Sequence, residues 1–426
     1  MKLRILAVLA ALTVPALAHA GDFYLKDGDR VVFYGDSITE QLLYTAYAET
    51  YAVTRFPHLN LSFTHSGWGG DRVGGGAGGS IDRRLARDVV FYRPSVVTIM
   101  LGMNDASYQP FKQDIFDRYA SGYRHIVDEL KADLPGVRLT LIQPSPYDDI
   151  TREPKFEGGY NSVLLRYADF VAELAQSAGA TVADLNNPLV EATKKAYAID
   201  KDKATEFNPD RVHPRPAGQL IMAMSLLKAW NAPSLVSAVS IDARDQRIIS
   251  ADNATVTDLA RSGDSITWTQ LDKALPFPIN YRDFGTNLDF KDPVVALAAK
   301  TADFFGALDR EPLKVDGLDA PEYTLLIDGE TIGTFPGGEY GAGINLAELI
   351  TPMTKQALEV HRKTVKHNAM HKHRWREIQV AFQNSPGADL GPTIEGLDRL
   401  EQIVVKDQHA AAQPKPHKFE MRPKGK

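Results

Sequence analysis

The residues with the clearest chemical potential lie in the tetrapeptide Gly-Asp-Ser-Ile at residues 35–38. Residues 31–34 form a short apolar run typical of a buried parallel strand, and residues 42–53 have the pattern of a helix. A serine on a tight strand-to-helix turn is lifted clear of the backbone, and N–H groups at the start of the helix favour a developing negative charge. Ser37 is therefore a candidate nucleophile.

The same four letters recur at residues 263–266 and provide an internal control. This second copy follows Arg-Ser and leads into Thr-Trp-Thr, a pattern typical of a turn that enters an exposed strand. An Asp-x-x-His motif at residues 210–213 follows the first copy, and none follows the second. We therefore interpret Ser265 as a turn residue.

Three further segments carry polar groups that could join Ser37. The segment His-Ser-Gly-Trp-Gly-Gly-Asp at residues 65–71 follows a strand candidate, and Gly-Met-Asn-Asp at residues 102–105 follows another. The Asp-Arg-Val-His segment at residues 210–213 precedes an apolar helix. Because the carboxyl ends of parallel strands meet along one crevice, these groups should converge there, the last of them on a loop.

This set of motifs resembles the GDSL, or SGNH, hydrolase superfamily over residues 22–232, about half of the chain. The four marker residues of that family are Ser, Gly, Asn and His in separate blocks. The resemblance places them, and the aspartate of the catalytic triad, at Ser37, Gly70, Asn104, His213 and Asp210. His65 departs from the pattern, since many members carry asparagine there. The resemblance implies a flavodoxin-like fold and hydrolysis of esters.

In such an enzyme, His213 takes the Ser37 proton as Oγ attacks the ester carbonyl, and Asp210 fixes the imidazole tautomer. The backbone N–H groups of Ser37 and Gly70 and the side-chain amide of Asn104 form the oxyanion hole. Each residue alone also has an ordinary structural interpretation, for example Ser37 as a helix N-cap. Their combination in this order favours a hydrolase that needs no metal or cofactor.

The composition limits the possible classes of protein. The chain has 426 residues, 44% of them hydrophobic, and a formal net charge of −6, enough for one large domain and a smaller one. It has no cysteine, which excludes thiol catalysis and Cys-ligated zinc. The mild acidity argues against nucleic acid as a partner. The sequence leaves the oligomeric state open.

The N-terminus has the pattern of a secretory signal peptide. Residues 1–4 are a charged start, residues 5–17 are apolar, and Ala18-His19-Ala20 supplies small residues at a cleavage site. We expect a signal peptide over residues 1–20, cleaved after Ala20, and a secreted or periplasmic protein. A buried N-terminal helix is the alternative. The apolar run is too short to span a membrane, and no later segment qualifies.

Strand and helix patterns alternate over residues 21–234 and predict an α/β fold. Five strands with helices between them predict a doubly wound sheet. The resemblance implies that this is a flavodoxin-like three-layer α/β/α SGNH hydrolase domain with a five-stranded parallel sheet. Short strand patterns follow, with a hairpin signal at Asp328-Gly329. The predicted parts after the hydrolase domain are a β-rich accessory module at 235–345, a helical segment at 346–407 and a disordered tail at 408–426.

Two features of the second half leave alternatives open. Trp268, Tyr281 and Phe284 could contact carbohydrate or form the core of the β-rich module, and the core is favoured. A helix over residues 353–382 carries seven Lys or Arg and four His, the latter at 361, 367, 371 and 373. A metal site there is opposed by clustered positive charge, so a solvated basic face is favoured; it could contact acidic polysaccharide or lipid head groups.

The walls of the crevice suggest the substrate. Gly74-x-Gly76-x-x-Gly79 formally matches a dinucleotide fingerprint but lacks the acidic residue that should follow, so we interpret it as a flexible wall. Trp68, Arg72 and Tyr160 are candidate substrate-binding residues, and such aromatic and polar groups suit sugars.

The sequence therefore predicts a secreted serine ester hydrolase that acts through an acyl-enzyme and deacetylates polysaccharide or oligosaccharide esters. The alternative is a broad short-chain carboxylesterase or lysophospholipase, which would show little preference for the alcohol side of its ester. A second alternative is a non-catalytic glycan-binding protein on a hydrolase scaffold.

Overall fold

The structure is a computed structural model that describes residues 22–278, 292–387 and 389–424. The predicted signal peptide and two of the aromatic candidates, Tyr281 and Phe284, lie outside the described residues. No helix in the described ranges is long and apolar enough to cross a bilayer.

The secondary structure elements alternate in the first half of the chain and become more varied in the second half. The described strands are β1 (Arg30–Gly35), β2 (Ser62–Gly67), β3 (Gly75–Gly76), β4 (Gly79–Ser80), β5 (Val96–Met100), β6 (Arg138–Ile142), β7 (Thr181–Ala183), β8 (Ala238–Asp242), β9 (Arg247–Asp252), β10 (Ala254–Ser262), β11 (Ser265–Asp272), β12 (Pro312–Asp316), β13 (Glu322–Ile327), β14 (Glu330–Pro336), β15 (Ile344–Asn345) and β16 (His417–Pro423). The described α-helices are α1 (Ser37–Glu40), α2 (Tyr44–Arg55), α3 (Ile81–Asp88), α4 (Gln113–Asp133), α5 (Gly159–Ala178), α6 (Asn187–Ile199), α7 (Lys201–Thr205), α8 (Pro216–Ala229), α9 (Pro293–Thr301), α10 (Phe304–Leu308), α11 (Gly337–Ala342), α12 (Pro352–Lys372) and α13 (Gly391–Ala411).

A five-stranded parallel sheet forms the centre of the first half, and its strand order is β2-β1-β5-β6-β7. This order is that of flavodoxin-like folds, in which the connections reverse direction after the first strand pair. Strands β1 and β5 are almost entirely buried, as the apolar runs predicted. The predicted α/β fold with a five-stranded parallel sheet, further β structure and C-terminal helices is confirmed.

Strand β2 lies further along the chain than the strand predicted at residues 59–63. It pairs with β1 from Ser62 to Gly67, so His65 and Ser66 are strand residues and not part of a glycine turn. These polar side chains are buried because each has a partner: His65 Nε2 lies 3.0 Å from Glu49 Oε2, and Ser66 Oγ donates to a backbone carbonyl.

The second half contains a five-stranded sheet of order β10-β11-β16-β13-β14 and a four-stranded sheet of order β15-β12-β8-β9. The predicted hairpin is confirmed: β13 and β14 pair on either side of Asp328 and Gly329, whose φ values of 52° and 81° fit a two-residue hairpin turn. Trp268 is a core residue, stacked on Phe419 with ring centroids 5.0 Å apart.

The prediction of a disordered tail over residues 408–426 is wrong for residues 408–424, the part of the tail that the structure describes. Helix α13 continues to Ala411, and β16 lies at the centre of a sheet, between β11 and β13. His417, Phe419 and Met421 are buried, whereas the charged residues between them point outward. This period-two pattern is typical of a strand, and the polar composition of the segment concealed it.

Helix α12 packs against α2, so only its outer side is a solvated basic face. The inner side buries His361, His367 and His371. His367 lies between two carboxylates, with Nδ1 3.0 Å from Glu49 Oε1 and Nε2 3.2 Å from Glu401 Oε1. Across the described ranges, no group of three or more His, Asp or Glu side chains is arranged to hold a metal ion. The buried histidines therefore join helices.

The pairing of Glu49 with His367 predicts a particular pH dependence of stability. Burial favours the neutral form of Glu49, but the charge and hydrogen bonds of His367 outweigh it and lower the pKa of Glu49 to about 2. Burial likewise opposes the charge on His367, yet Glu49 and Glu401 raise its pKa to about 10. The Glu49 contribution is present above its ordinary pKa of 4.5 and is lost towards pH 2. The His367 contribution is complete below its ordinary pKa of 6.5 and is lost towards pH 10.

We expect His367→Gln to lower the free energy of unfolding at pH 6.5. The variant should also lack most of the decline in this free energy that the parent protein shows between pH 6.5 and pH 9.5. Urea unfolding at the two pH values measures this. The matched control is His373→Gln on the exposed side of the same helical segment, which should leave the decline unchanged. An equal decline in His367→Gln and the parent protein would contradict the assignment.

The position of β16 predicts the cost of truncating its core residue. Phe419→Ala should lower the free energy of unfolding by about 3–5 kcal/mol, because it leaves a cavity against Trp268. Lys418→Ala, one residue earlier on the exposed face, should change it by less than about 0.5 kcal/mol. Thermal or urea unfolding distinguishes the two, and similar effects of both would mean that β16 is not part of the sheet.

Candidate active site

The turn between β1 and α1 presents Ser37. Asp36 caps the helix, and its Oδ1 accepts the Ile38 N–H at 2.9 Å. Glycine is required at position 35, since a Cβ there would lie 2.3 Å from Thr39 Oγ1. Burial raises the pKa of Asp36 to about 7, although the Ile38 N–H opposes this rise. Asp36 is thus buried support for the turn.

The loop before α8 brings an imidazole to the Ser37 hydroxyl. Ser37 Oγ lies 2.8 Å from His213 Nε2, and His213 Nδ1 lies 2.7 Å from Asp210 Oδ2. The other carboxylate oxygen accepts the backbone N–H groups of Val212, at 2.9 Å, and His213, at 2.7 Å. Arg211 has a φ of 72°, which folds the loop back so that two residues three apart can pair.

These hydrogen bonds determine the charge on Asp210. Partial burial tends to raise the pKa of the Asp210 carboxyl. The hydrogen bonds from the backbone N–H and the ring of His213, together with the one from the Val212 N–H, outweigh burial, so the pKa lies below its ordinary value. The carboxylate therefore stays ionised at neutral pH and can orient the imidazole and stabilise its protonated form.

A β-turn at residues 68–71 lies beside the serine. Its closing hydrogen bond runs from Asp71 N–H to the Trp68 carbonyl at 3.1 Å, and Gly70 has a φ of 78°, as a type II turn requires. This bond does not use the N–H of Gly70. A Cβ on Gly69 would lie 3.9 Å from Ser37 Cβ, so the turn lies next to Ser37.

Asn104 reaches the same turn from the end of β5. Its Nδ2 donates to the Asp71 carbonyl at 3.1 Å, and its Oδ1 accepts the Tyr108 hydroxyl at 2.9 Å. Both bonds fix the orientation of the amide. The structure thus brings together Ser37, Gly70 and Asn104, which the sequence placed on three separate strand ends.

A buried guanidinium supports the turn from below. Arg84 Nε donates to Asp71 Oδ2 at 2.7 Å, Nη2 donates to the Ser66 carbonyl at 2.8 Å, and Nη1 pairs with Asp88. The side chains of this group are fully buried. Because a buried charge is costly unless it is paired, this set of bonds fixes the end of β2, the turn and α3 relative to each other.

The three candidate substrate-binding residues have different surroundings. Arg72 is exposed beside the turn. Trp68 is only 7% exposed, and the Arg376 guanidinium lies over its ring, 3.1 Å from the centroid. Tyr160 is 1% exposed and donates its hydroxyl to the Met103 carbonyl at 2.6 Å. The placement of Tyr160 on the crevice surface therefore needs correction: its polar end is already bonded, and it packs behind the surface.

Sequence reasoning missed two residues near the site. Tyr108 is 38% exposed and packs on Tyr160 with ring centroids 5.0 Å apart. Buried Gln219 accepts the Tyr44 N–H at 3.1 Å and donates to Gln41 Oε1 at 2.8 Å, which ties α8 to the chain after α1. Two signals in the sequence could have indicated these residues. One is an aromatic residue four positions after Asn104, and the other is a single side-chain amide in the mostly apolar helix α8.

The glycine-rich stretch after the turn is a hydrogen-bonded ribbon of β3 and β4. Several of its glycines are required by close contacts: a Cβ on Gly75 would lie 2.3 Å from the Gly79 carbonyl oxygen. The ribbon leads into α3, which carries Arg84. The stretch therefore serves to position buried side chains of α3 beneath the turn.

Comparison with known proteins identifies this arrangement. Residues 33–221 match the model of the GDSL-like lipase/acylhydrolase family. Over 225 residues, 48% of this chain and 94% of the relative, the chain is 25% identical to an acetylxylan esterase of Geobacillus stearothermophilus. A crystal structure of acetylxylan esterase from that organism has a TM-score of 0.41 at 23% identity, over 49% of this chain and 96% of that one.

A second solved structure is similar over nearly the whole chain. It is described as a gut microbial diltiazem-metabolizing enzyme, and it superposes with a TM-score of 0.80 at 24% identity, over 93% of this chain and 98% of that one. The C-terminal sheets and helices therefore belong to a shared fold. The chain therefore carries a GDSL-like lipase/acylhydrolase domain at residues 33–221, which supports a hydrolase that acts on esters.

Proposed function

We propose that this protein is a serine esterase that forms an acyl-enzyme on Ser37 and removes acetyl groups from carbohydrate esters. The observation that carries the mechanism is the hydrogen-bonded chain from Ser37 Oγ through the His213 ring to the Asp210 carboxylate. A serine hydroxyl becomes a strong nucleophile when an adjacent base accepts its proton and a third group orients that base.

The reaction proceeds in two halves. Ser37 Oγ attacks the ester carbonyl carbon while His213 Nε2 accepts the hydroxyl proton, which gives a tetrahedral oxyanion. The intermediate collapses, the C–O bond to the alcohol breaks, and the imidazolium gives its proton to the departing alkoxide oxygen. Water then attacks the acyl-enzyme with His213 as base, and the carboxylic acid leaves as Ser37 regains its proton.

The oxyanion is held by the N–H groups of Ser37 and Gly70 and by the Asn104 amide. Asn104 Nδ2 carries two hydrogens, so one can bond the Asp71 carbonyl while the other faces the oxyanion. Gly70 supports this role because the closing bond of the turn uses the Asp71 N–H and not the Gly70 N–H. Each such donor contributes about 3 kcal/mol to lowering the barrier.

Two observations favour an acetylated carbohydrate as substrate. The curated relative with 25% identity is an acetylxylan esterase, and the alignment spans 94% of that enzyme. Arg72 and Tyr108 offer an exposed cation and an aromatic face close to Asn104 and the turn, which suit hydroxyl-rich ligands. The N-terminal pattern described above supports secretion, where polymeric glycans would be accessible.

The chain provides a matched control for the nucleophile. Ser37→Ala should lower kcat by a factor of roughly 10⁴ or more and leave the melting temperature near that of the parent. Ser265→Ala, in the second Gly-Asp-Ser-Ile copy at the start of β11, should leave kcat unchanged. Hydrolysis of p-nitrophenyl acetate measures both. Equal losses in the two variants would overturn the role of Ser37.

The third member of the proposed triad has its own expected signature. Asp210→Asn should lower kcat by roughly 10⁴, because the amide cannot favour the tautomer that leaves Nε2 free to accept the Ser37 proton. Asp200→Asn, which alters the half-buried N-cap of α7 and its pairing with Lys203, is the control and should keep full activity. Steady-state kinetics compare them, and full activity in Asp210→Asn would exclude an orienting role.

Acetate release from acetylated xylan and pectin fragments tests the substrate. We expect release by the parent protein and none by Ser37→Ala, with p-nitrophenyl acetate and p-nitrophenyl palmitate run in parallel. Turnover of long-chain esters without acetate release from the glycans would instead favour the short-chain carboxylesterase or lysophospholipase alternative. Tight glycan binding without any hydrolysis would favour a binding protein.

A further inference from the structure

A carboxylate on α1 holds the β-turn at residues 68–71 in place. Glu40 follows Ser37 by three residues, and its Oε2 accepts the Gly69 N–H at 2.7 Å. The next N–H along this turn belongs to Gly70, the proposed oxyanion donor. The position of that donor relative to the Ser37 hydroxyl therefore depends on where the Glu40 carboxylate lies.

The second oxygen of this carboxylate meets a residue from outside the GDSL domain. Glu40 Oε1 lies 3.5 Å from Arg376 Nη2, and both side chains are partly buried, at 30% and 25% exposure. The Arg376 guanidinium also covers the Trp68 ring, which is the first residue of the turn. Arg376 thus contacts two groups: Trp68, the first residue of the turn, and Glu40, whose carboxylate accepts the N–H of the second residue.

Arg376 belongs to a π-helical segment, His373–Val380, that continues α12. Its neighbour Trp375 donates from Nε1 to Asp88 Oδ1 at 2.6 Å and packs edge-on against Trp68 at 5.8 Å. Arg374 on the other side pairs with Asp398 of α13. A π-helical turn is a rare feature that is often found at functional sites, and here it aims three consecutive side chains at fixed partners.

We propose that Arg376 is a positioning residue: through Glu40 and Trp68 it holds the β-turn so that the Gly70 N–H faces the oxyanion. This inference rests on the proposed serine esterase mechanism. It means that the C-terminal helices, which lie beyond the family domain at 33–221, complete the active site. Loss of the contact should weaken transition-state binding more than substrate binding, because the oxyanion forms only during the reaction.

The test is the steady-state kinetics of Arg376→Gln and Arg376→Lys in the full-length protein with p-nitrophenyl acetate. We expect Arg376→Gln to lower kcat roughly 10- to 100-fold, since small displacements of catalytic groups have effects of this size, with KM changed less than about twofold. Arg376→Lys should have a kcat between those of Arg376→Gln and the parent protein. The lysine ammonium can still pair with Glu40, but it cannot stack on the Trp68 ring as the planar guanidinium does.

The matched control is Arg362→Gln, an arginine of α12 that pairs with Glu359 on the exposed side of the helix. It should keep the kcat of the parent. Melting temperatures verify that each variant is folded. An unchanged kcat in Arg376→Gln, or an equal loss in Arg362→Gln, would overturn the inference while an inactive Ser37→Ala still supported the proposed function.

A second variant, Glu40→Gln, tests the same contact if Arg376→Gln does not fold. Glu40→Gln keeps an oxygen for the Gly69 N–H but removes the charge that faces Arg376, so kcat should fall with little change in KM. An unchanged kcat in Glu40→Gln would overturn the proposal. Where both single variants fold, the losses in the Glu40→Gln/Arg376→Gln double variant should not add, because both changes break one link. Additive losses would show that the two residues act separately and would overturn the proposal. Full activity in Ser37→Ala would overturn both the proposed function and this inference.

Discussion

The buried guanidinium of Arg84 is the interaction on which the geometry around Ser37 depends. It is shared among Asp71 of the turn, Asp88 at the end of α3 and the Ser66 carbonyl at the end of β2. Movement of any of these partners would remove a hydrogen bond from the buried guanidinium, which is costly because water cannot replace it there. Since Asp88 also accepts the Trp375 N–H, the same charge connects the sheet to the C-terminal helices.

The second half of the chain is joined to the first by contacts of the same kind. Arg55, at the end of α2, donates to Asp309 Oδ1 at 3.1 Å, and both side chains are buried. Burial raises the pKa of Asp309 to about 7 although Arg55 opposes the rise. The pairing of Glu49 with His367 adds a further link. The sequence boundaries predicted near residues 234 and 345 therefore mark changes in composition, and extensive buried contacts cross them.

Local patterns predicted the parallel sheet and the residues at its strand ends, because apolar runs and the turns after them are properties of neighbouring residues. The convergence of Ser37, Gly70 and Asn104 followed from one rule about parallel strands. The pairings of Arg376 and Gln219 could not be predicted, since they join residues far apart in sequence and depend on the angle at which helices pack. Strand β16 was missed for another reason. Buried and exposed residues alternate clearly along it, but the polar overall composition of the segment is typical of disorder.

The place of β16 in its sheet has a consequence for the order in which the protein can assemble. Strands β11 and β13 both hydrogen-bond to β16 and not to each other. During synthesis their facing edges stay open until residues 417–423 have left the ribosome. Open edges invite pairing with other chains, so the nascent protein is exposed to mispairing at this stage. A chain that ends within α13 would contain the whole GDSL domain, but the two halves of its second sheet would have no strand to join them.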